Sequence, residues 1–330
     1  MKRRDFFYTS GFAGLGLTFS SFELFSERKK DKMLLQSFSQ TGNGVSLYTR
    51  ARVTPIRVFH LTDTHLSIDD KRGVEYQKYS KRMAGAYQSN KHFQTGEAYT
   101  TGESFEQTLQ TALDEKADFL VLTGDIFSFP SEAAVEWASG KLAETGIPFA
   151  YVAGNHDWHY EGMQGSLNEL RDTWVNKRLY PMYQGKNPLY ASYDFHGVRF
   201  VCIDNSTYEI LPGQLEFFKE QAALDIPLVL LMHIPLYMPG RPMGYGCANP
   251  DWGEKTDRGY EAEGREKWRA GGHTRLTFDF REEVFKAPNL LAVLAGHTHQ
   301  AAVDVENGIP QIVSGPNTTA YFTDIRIESI

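Results

Sequence analysis

From position 55 onward the chain alternates between two hydrophobic rhythms. Largely apolar runs at 56–61, 119–123, 149–153, 228–232 and 290–295 have the length and the Val, Ile, Leu and Phe content of buried strands. Between them, apolar residues recur every three or four positions at 105–115, 133–144, 214–223 and 280–286, as on the inner stripe of a helix. This alternation predicts a layered α/β architecture. Strands at 190–195 and 198–204 flank His196-Gly197, and strands at 302–306 and 309–314 flank Asn307-Gly308, both two-residue hairpin signals. Segments 66–102 and 239–277 follow neither rhythm and exceed ordinary connection lengths, so they read as insertions. Residues 31–54 are polar without a sustained period and read as a linker, which leaves 55–330 as the main domain.

Composition narrows the class without changing that picture. With 41% hydrophobic and 23% charged residues in 330, an ordinary core can form. The net charge of -7 argues against nonspecific nucleic-acid binding, which depends on Lys and Arg neutralising phosphates. Two cysteines, Cys202 and Cys247, exclude a disulfide scaffold and a thiolate zinc cluster; a bridge between them is open in an oxidising compartment. The N-terminus carries Lys2-Arg3-Arg4 and then a short, weakly apolar stretch from Phe6 to Phe22. Residues 1–30 therefore resemble a twin-arginine export signal, which places the protein in the periplasm or cell envelope. No Ala-x-Ala site precedes Lys30, so an uncleaved signal would leave a membrane tether.

The chemistry lies just past the apolar runs. Run 56–61 leads into Thr62-Asp63-Thr64-His65, run 119–123 into Gly124-Asp125, and run 149–153 into Gly154-Asn155-His156-Asp157. Run 228–232 leads into His233, and run 290–295 into Gly296-His297-Thr298-His299. Taken singly each is weak: Asp-x-His is common in turns, Asn155 suits a turn, and His233 suits a satisfied core histidine. Together they put Asp, Asn or His at five strand ends, where open α/β sheets hold their ligands. So many desolvated polar groups would be costly without an ion to bind. Carboxylate, imidazole and amide oxygen suit Zn, Mn or Fe. His297 and His299 point apart and can reach different ions, which a bridging carboxylate would hold about 3.5–4 Å apart.

These five blocks, in this order from Ile56 to about Ala302, resemble the calcineurin-like metallophosphoesterase superfamily. The resemblance implies a four-layer α-β-β-α sandwich of two mixed sheets flanked by helices, with a dinuclear metal site at the sheet edge. It implies one ion on Asp63, His65, Asp125 and His299, and a second on Asp125, Asn155, His233 and His297. A metal-bound hydroxide would attack the phosphorus of a phosphomonoester or phosphodiester, while His156, oriented by Asp157, would assist the leaving group. Ser128 stands where purple acid phosphatases, a similar group, carry a tyrosine ligand, which disfavours a ferric-tyrosinate centre.

Two rival readings differ in what they need. A metal-stabilised binding module with vestigial activity has no use for His156 and Asp157, which are not required to hold ions. A nuclease needs a basic groove. Selectivity for a small organic phosphate would fall to the insertions, which carry Arg72, Tyr76, Tyr79, Arg82, Tyr87 and His92 in one and Arg241, Tyr245, Trp252, Tyr260, Trp268, Arg269 and His273 in the other. The export reading makes a direct prediction: Arg3→Lys with Arg4→Lys retains the protein in the cytoplasm. Cell fractionation checks this, and unchanged export would point to another route.

Overall fold

The computed structural model describes residues 33–238 and 273–330. The export segment, Cys247 and the aromatic and basic residues at 241–269 lie outside the described residues. Strands β1 (Leu35–Thr41), β2 (Gly44–Thr49) and β3 (Ile56–Leu61) come first, followed by helix α1 (Gln77–Ala86) and a two-residue ladder of β4 (Asn90–Lys91) and β5 (Ala98–Tyr99). Helix α2 (Thr101–Asp114), β6 (Phe119–Leu122), α3 (Glu132–Thr145), β7 (Phe149–Tyr151), α4 (Asn155–Trp158) and α5 (Leu167–Trp174) complete the first half. The second half runs β8 (Tyr190–Phe195), β9 (Val198–Ile203), α6 (Pro212–Ala222), β10 (Leu228–Leu231), α7 (Arg275–Val284), β11 (Leu290–Ala295), β12 (Ala302–Glu306), β13 (Ile309–Val313) and β14 (Thr323–Ser329).

Two mixed six-stranded sheets result, ordered β1-β2-β14-β3-β6-β7 and β12-β13-β11-β10-β9-β8. Strands β3, β6 and β7 are parallel, as are β9, β10, β11 and β13, so within each sheet the strand ends lie along one edge. Side chains alternate across each strand and divide the core into three layers. Val58, Val121, Phe200, Leu231 and Leu294 face the seam between the sheets. Phe59, Leu120 and Leu122 face outward onto Phe105, Leu109, Ala138 and Leu142 of α2 and α3. Val201, Leu230 and Val293 face the other way, onto Phe218, Phe280 and Val284 of α6 and α7. Strands covered on both faces must be apolar throughout, and this is the origin of the uninterrupted runs. The expected α-β-β-α sandwich is the observed fold.

One expectation fails. Residues 35–49, read as linker, form the β1–β2 hairpin, closed by the Thr41↔Gly44 pair, and β2 lies parallel to β14. Val45 and Leu47 enter the seam, but β1 is an exposed edge strand with mostly polar residues. The apolar period therefore covers one short strand only, too brief to register against its polar partner.

The 66–102 segment is also ordered. Tyr76, Tyr79 and Met83 pack onto the first outer core, while Arg72 pairs with Asp70, Glu132 and Glu136. Arg82 pairs with Glu161, and His92 lies against Phe93 and Tyr99. The side chains of this segment offered for substrate selection are thus engaged in packing and ion pairs; Tyr87 also packs onto that core, and its ring reaches the site described below.

Phe200 is fully buried in the seam with its ring 4.8 Å from Phe119, so truncation leaves a cavity that neither sheet can close. Phe200→Ala is expected to cost about 3–5 kcal/mol, read as a shift of the urea unfolding midpoint with an unchanged slope.

Candidate metal centre

The strand ends of the two sheets meet at one place. The Asp63–His65 loop follows β3, Asp125 follows β6, and Asn155 opens α4 after β7; His233 follows β10, and His297 and His299 follow β11. Contacts across the seam lock the loops together. The backbone N–H of His297 donates to Asp63 Oδ2 at 2.8 Å, and the Thr62 hydroxyl donates to the same oxygen at 2.8 Å. His233 Nδ1 donates to the Thr123 carbonyl at 2.7 Å, which leaves its Nε2 as a lone-pair donor.

Asp63, His65, Asp125, His297 and His299 all have positive φ, between 51° and 69°. Each such residue gives up on the order of 1 kcal/mol, and their concentration at one edge marks a built site. Two glycines permit the close packing. A Cβ on Gly154 would lie 2.1 Å from Asp125 Oδ1, and one on Gly296 would lie 1.9 Å from the Thr62 hydroxyl and 2.5 Å from Asp63 Oδ2.

Two groups of potential ligands form: Asp63, His65 and His299, and Asp125, His233 and His297, with the donor atoms of each group within 4.8 Å of one another. His65 Nε2 and His299 Nε2 are 3.0 Å apart, and His299 Nε2 is 3.1 Å from Asp63 Oδ1. Asp125 Oδ2 is 3.2 Å from His233 Nε2 of its own group and 3.9 Å from His65 Nε2 of the other. One carboxylate oxygen thus faces both groups, as a bridge requires. Asn155 is half-buried beside Asp125, and its Oδ1 is buried with no hydrogen-bond partner among the described residues. An orphaned amide oxygen next to clustered carboxylates and imidazoles fits a cation at this position. Burial by itself would raise the Asp63 and Asp125 carboxyls, but the imidazoles around them hold both below the ordinary range.

His156 lies edge-on to His65 at 5.1 Å, and its backbone N–H donates to Asp125 Oδ1 at 2.8 Å. The expected orientation of His156 by Asp157 is not what the structure holds. Asp157 Oδ2 accepts from the N–H groups of Asp125 (3.0 Å) and Gly154 (2.7 Å) and from the Tyr151 hydroxyl (2.8 Å), and its Oδ1 accepts from the N–H of Phe127 (2.8 Å). His156 Nδ1 has no partner among the described residues. The carboxylate sits under the Asp125 turn and is consumed by backbone donors, so it shapes the loop of the bridging residue. Burial and the Asp125 charge push Asp157 up to about 7 against those donors.

Three further residues support the site. Asn205 accepts from the N–H groups of His233 and Ile234 and donates to the Ile234 carbonyl, which fixes the β10 loop. Asn317 accepts from Thr64 through its Oδ1, and its backbone N–H donates to the Thr62 carbonyl. Tyr208 stands edge-on to His297 at 5.9 Å. Single asparagines in loops carry no periodic signal, so the sequence offers no means of finding them. His273, offered for substrate selection, pairs with Glu209 at 3.5 Å.

Comparison with known proteins fits this geometry. Residues 56–301 match the model of the calcineurin-like phosphoesterase family. The chain belongs to that family. A "Probable cyclic nucleotide phosphodiesterase" of Psychrobacter sp. (strain PRwf-1) is 24% identical to this phosphoesterase over 81% of the chain and 77% of the relative. A cAMP/cGMP dual specificity phosphodiesterase of Mycobacterium tuberculosis is 24% identical over 82% of the chain and 69% of the relative. A dimetal phosphatase from Danio rerio shares the fold, with a TM-score of 0.50 at 12% identity over 81% of this chain and 91% of that one. The phosphoesterase is accordingly a metal-dependent phosphoric ester hydrolase.

Because Asp125 faces both groups, Asp125→Asn should lower the occupancy of both ions in elemental analysis, whereas loss of a residue from one group spares the other. Gly154→Ala should act in the same direction by displacing the Asp125 carboxylate. Gly140→Ala, in α3 with open space around it, should leave both ions bound and add about 0.5–1 kcal/mol of stability.

Proposed function

We propose that the phosphoesterase hydrolyses a phosphodiester of a small organic group, with a cyclic nucleotide as the first candidate. The observation that carries the reading is Asp125, whose Oδ2 faces both candidate ligand groups, 3.2 Å from His233 Nε2 and 3.9 Å from His65 Nε2. The relatives described as cyclic nucleotide phosphodiesterases support the choice of substrate. Two ions held by Asp63, His65, Asp125, Asn155, His233, His297 and His299 would supply Lewis-acid polarisation of the phosphoryl oxygens and activation of water. The Arg3-Arg4 pair supports delivery of the enzyme to the periplasm or cell envelope.

The protein's own part in the proton chemistry falls to His156. Burial, with the imidazoles of His233 and His299, holds it below the ordinary histidine value against the pull of Asp125. It therefore meets substrate as a neutral ring, and the negative charge of a phosphoester beside it raises its proton affinity. The ring would take up a proton from solvent as the anionic substrate binds and pass it to the departing oxygen; its Nδ1 has no partner among the described residues to compete for that role.

His156→Ala should keep both ions, since the residue belongs to neither group, and should lower turnover by about 10²–10⁴-fold. A nitrophenolate leaves readily without a proton, so the deficit should be small on nitrophenyl esters and large on alkyl esters. Equal losses on both would assign His156 to the phosphoryl charge instead. Full activity on every ester would remove it from the reaction.

A further inference from the structure

His65 and His233, one from each candidate group, differ in how their rings are held. A histidine that binds an ion through one nitrogen normally has its ring plane fixed by a hydrogen bond at the other. His233 meets that rule, with Nδ1 on the Thr123 carbonyl at 2.7 Å. His65 does not. Its Nε2 faces Asp63 and His299, but its Nδ1 is buried with no hydrogen-bond partner among the described residues.

What His65 has in place of that bond is an aromatic face. The Tyr87 ring lies on the His65 ring with centroids 4.1 Å apart and planes 20° from parallel, and it is tilted against His299 at 5.7 Å. The tyrosine is firmly mounted. Asn90 Nδ2 donates to its carbonyl at 2.6 Å, while the Gln88 amide donates to Ser67 Oγ at 3.0 Å and to the Ala84 carbonyl at 2.6 Å. Helix α1, which ends one residue earlier, is anchored by buried Met83. The preceding turn is held by Tyr76, whose ring is 5.1 Å from Tyr160 and lies under the Arg178 guanidinium at 5.0 Å.

We propose that Tyr87 is a positioning residue for the ion of the Asp63–His65–His299 group, substituting a ring stack for the missing hydrogen bond at His65 Nδ1. The inference rests on the dinuclear reading of the site. An imidazole has a broad, two-fold torsion about its last side-chain bond, so an unrestrained ring points Nε2 at the ion only part of the time. A parallel face at 4.1 Å removes that freedom. The stack also favours the loaded state, because an imidazole bonded to a dication is electron-poor and is attracted to an electron-rich phenol face. Tyr208 is only edge-on to His297 of the other group, so the effect is confined to one ion.

The test is a zinc titration of the full-length protein against a chromophoric chelator, for wild type, Tyr87→Phe and Tyr87→Leu, with melting temperatures recorded alongside. Tyr87→Leu should weaken one of two zinc ions by ~10-fold or more and leave the other unchanged, and Tyr87→Phe, which keeps the ring, should hold both within about 2-fold of wild type. Excess zinc should restore the turnover of Tyr87→Leu on a nitrophenyl ester with KM unchanged. Should Tyr87→Leu fail to fold, Tyr87→Gln, suited to a half-exposed position, makes the same test. Unchanged zinc binding in Tyr87→Leu would overturn the proposal, as would equal weakening of both ions. Tyr87→Phe as weak as Tyr87→Leu would show that the hydroxyl acts rather than the stack. A raised KM at saturating zinc would make Tyr87 a substrate contact instead. Fewer than two zinc ions in the wild type would sink the dinuclear reading itself, a result separable from all of these.

Discussion

Asp63 and Asp125 are buried at the seam of two sheets, and two carboxylates in a dry site repel one another unless positive charge lies between them. The surrounding structure supplies that compensation in layers. Backbone N–H groups from His297 and His156 each donate to one carboxylate, and the imidazoles of His65, His233 and His299 stand within 4 Å of them. Metal ions held by the two candidate groups would complete the set.

The cost is visible in the backbone. Five candidate ligand residues adopt left-handed φ, and glycines stand where a Cβ would strike a carboxylate of the site. The apolar layers beneath tolerate that strain. Each ligand loop leaves a strand whose side chains are buried on both faces, so the loops grow from a rigid edge. Asp157 belongs to this scaffold: its carboxylate gathers three backbone N–H groups and a tyrosine hydroxyl under the Asp125 turn. A residue that looks catalytic beside His156 is spent on loop geometry.

His233 and His65 are supported differently. His233 is oriented by a carbonyl and clamped through Asn205, both from the sandwich itself. His65 depends on Tyr87, carried by a segment that packs onto the sandwich from outside. An ion site whose support comes from an added segment can be tuned without disturbing the fold.

The five strands that lead into the site, the two hairpins, four of the helices and the order of the candidate ligand blocks were legible in the sequence, because each is local; β14, α1 and α5 were not. A strand buried on both faces must be apolar along its whole length, and its polar successor must then sit at the edge. Aspartate, asparagine and histidine after five such strands leave few alternatives to an ion site. What only the tertiary structure decided is which side chains meet. His65 and His299 lie 234 positions apart, and no spacing rule links them. The same holds for the partners of Asp157, for the Tyr87 stack and for the β1–β2 hairpin, whose polar edge strand carries almost no hydrophobic period. Those contacts follow from how two sheets close on each other, which depends on the whole core at once.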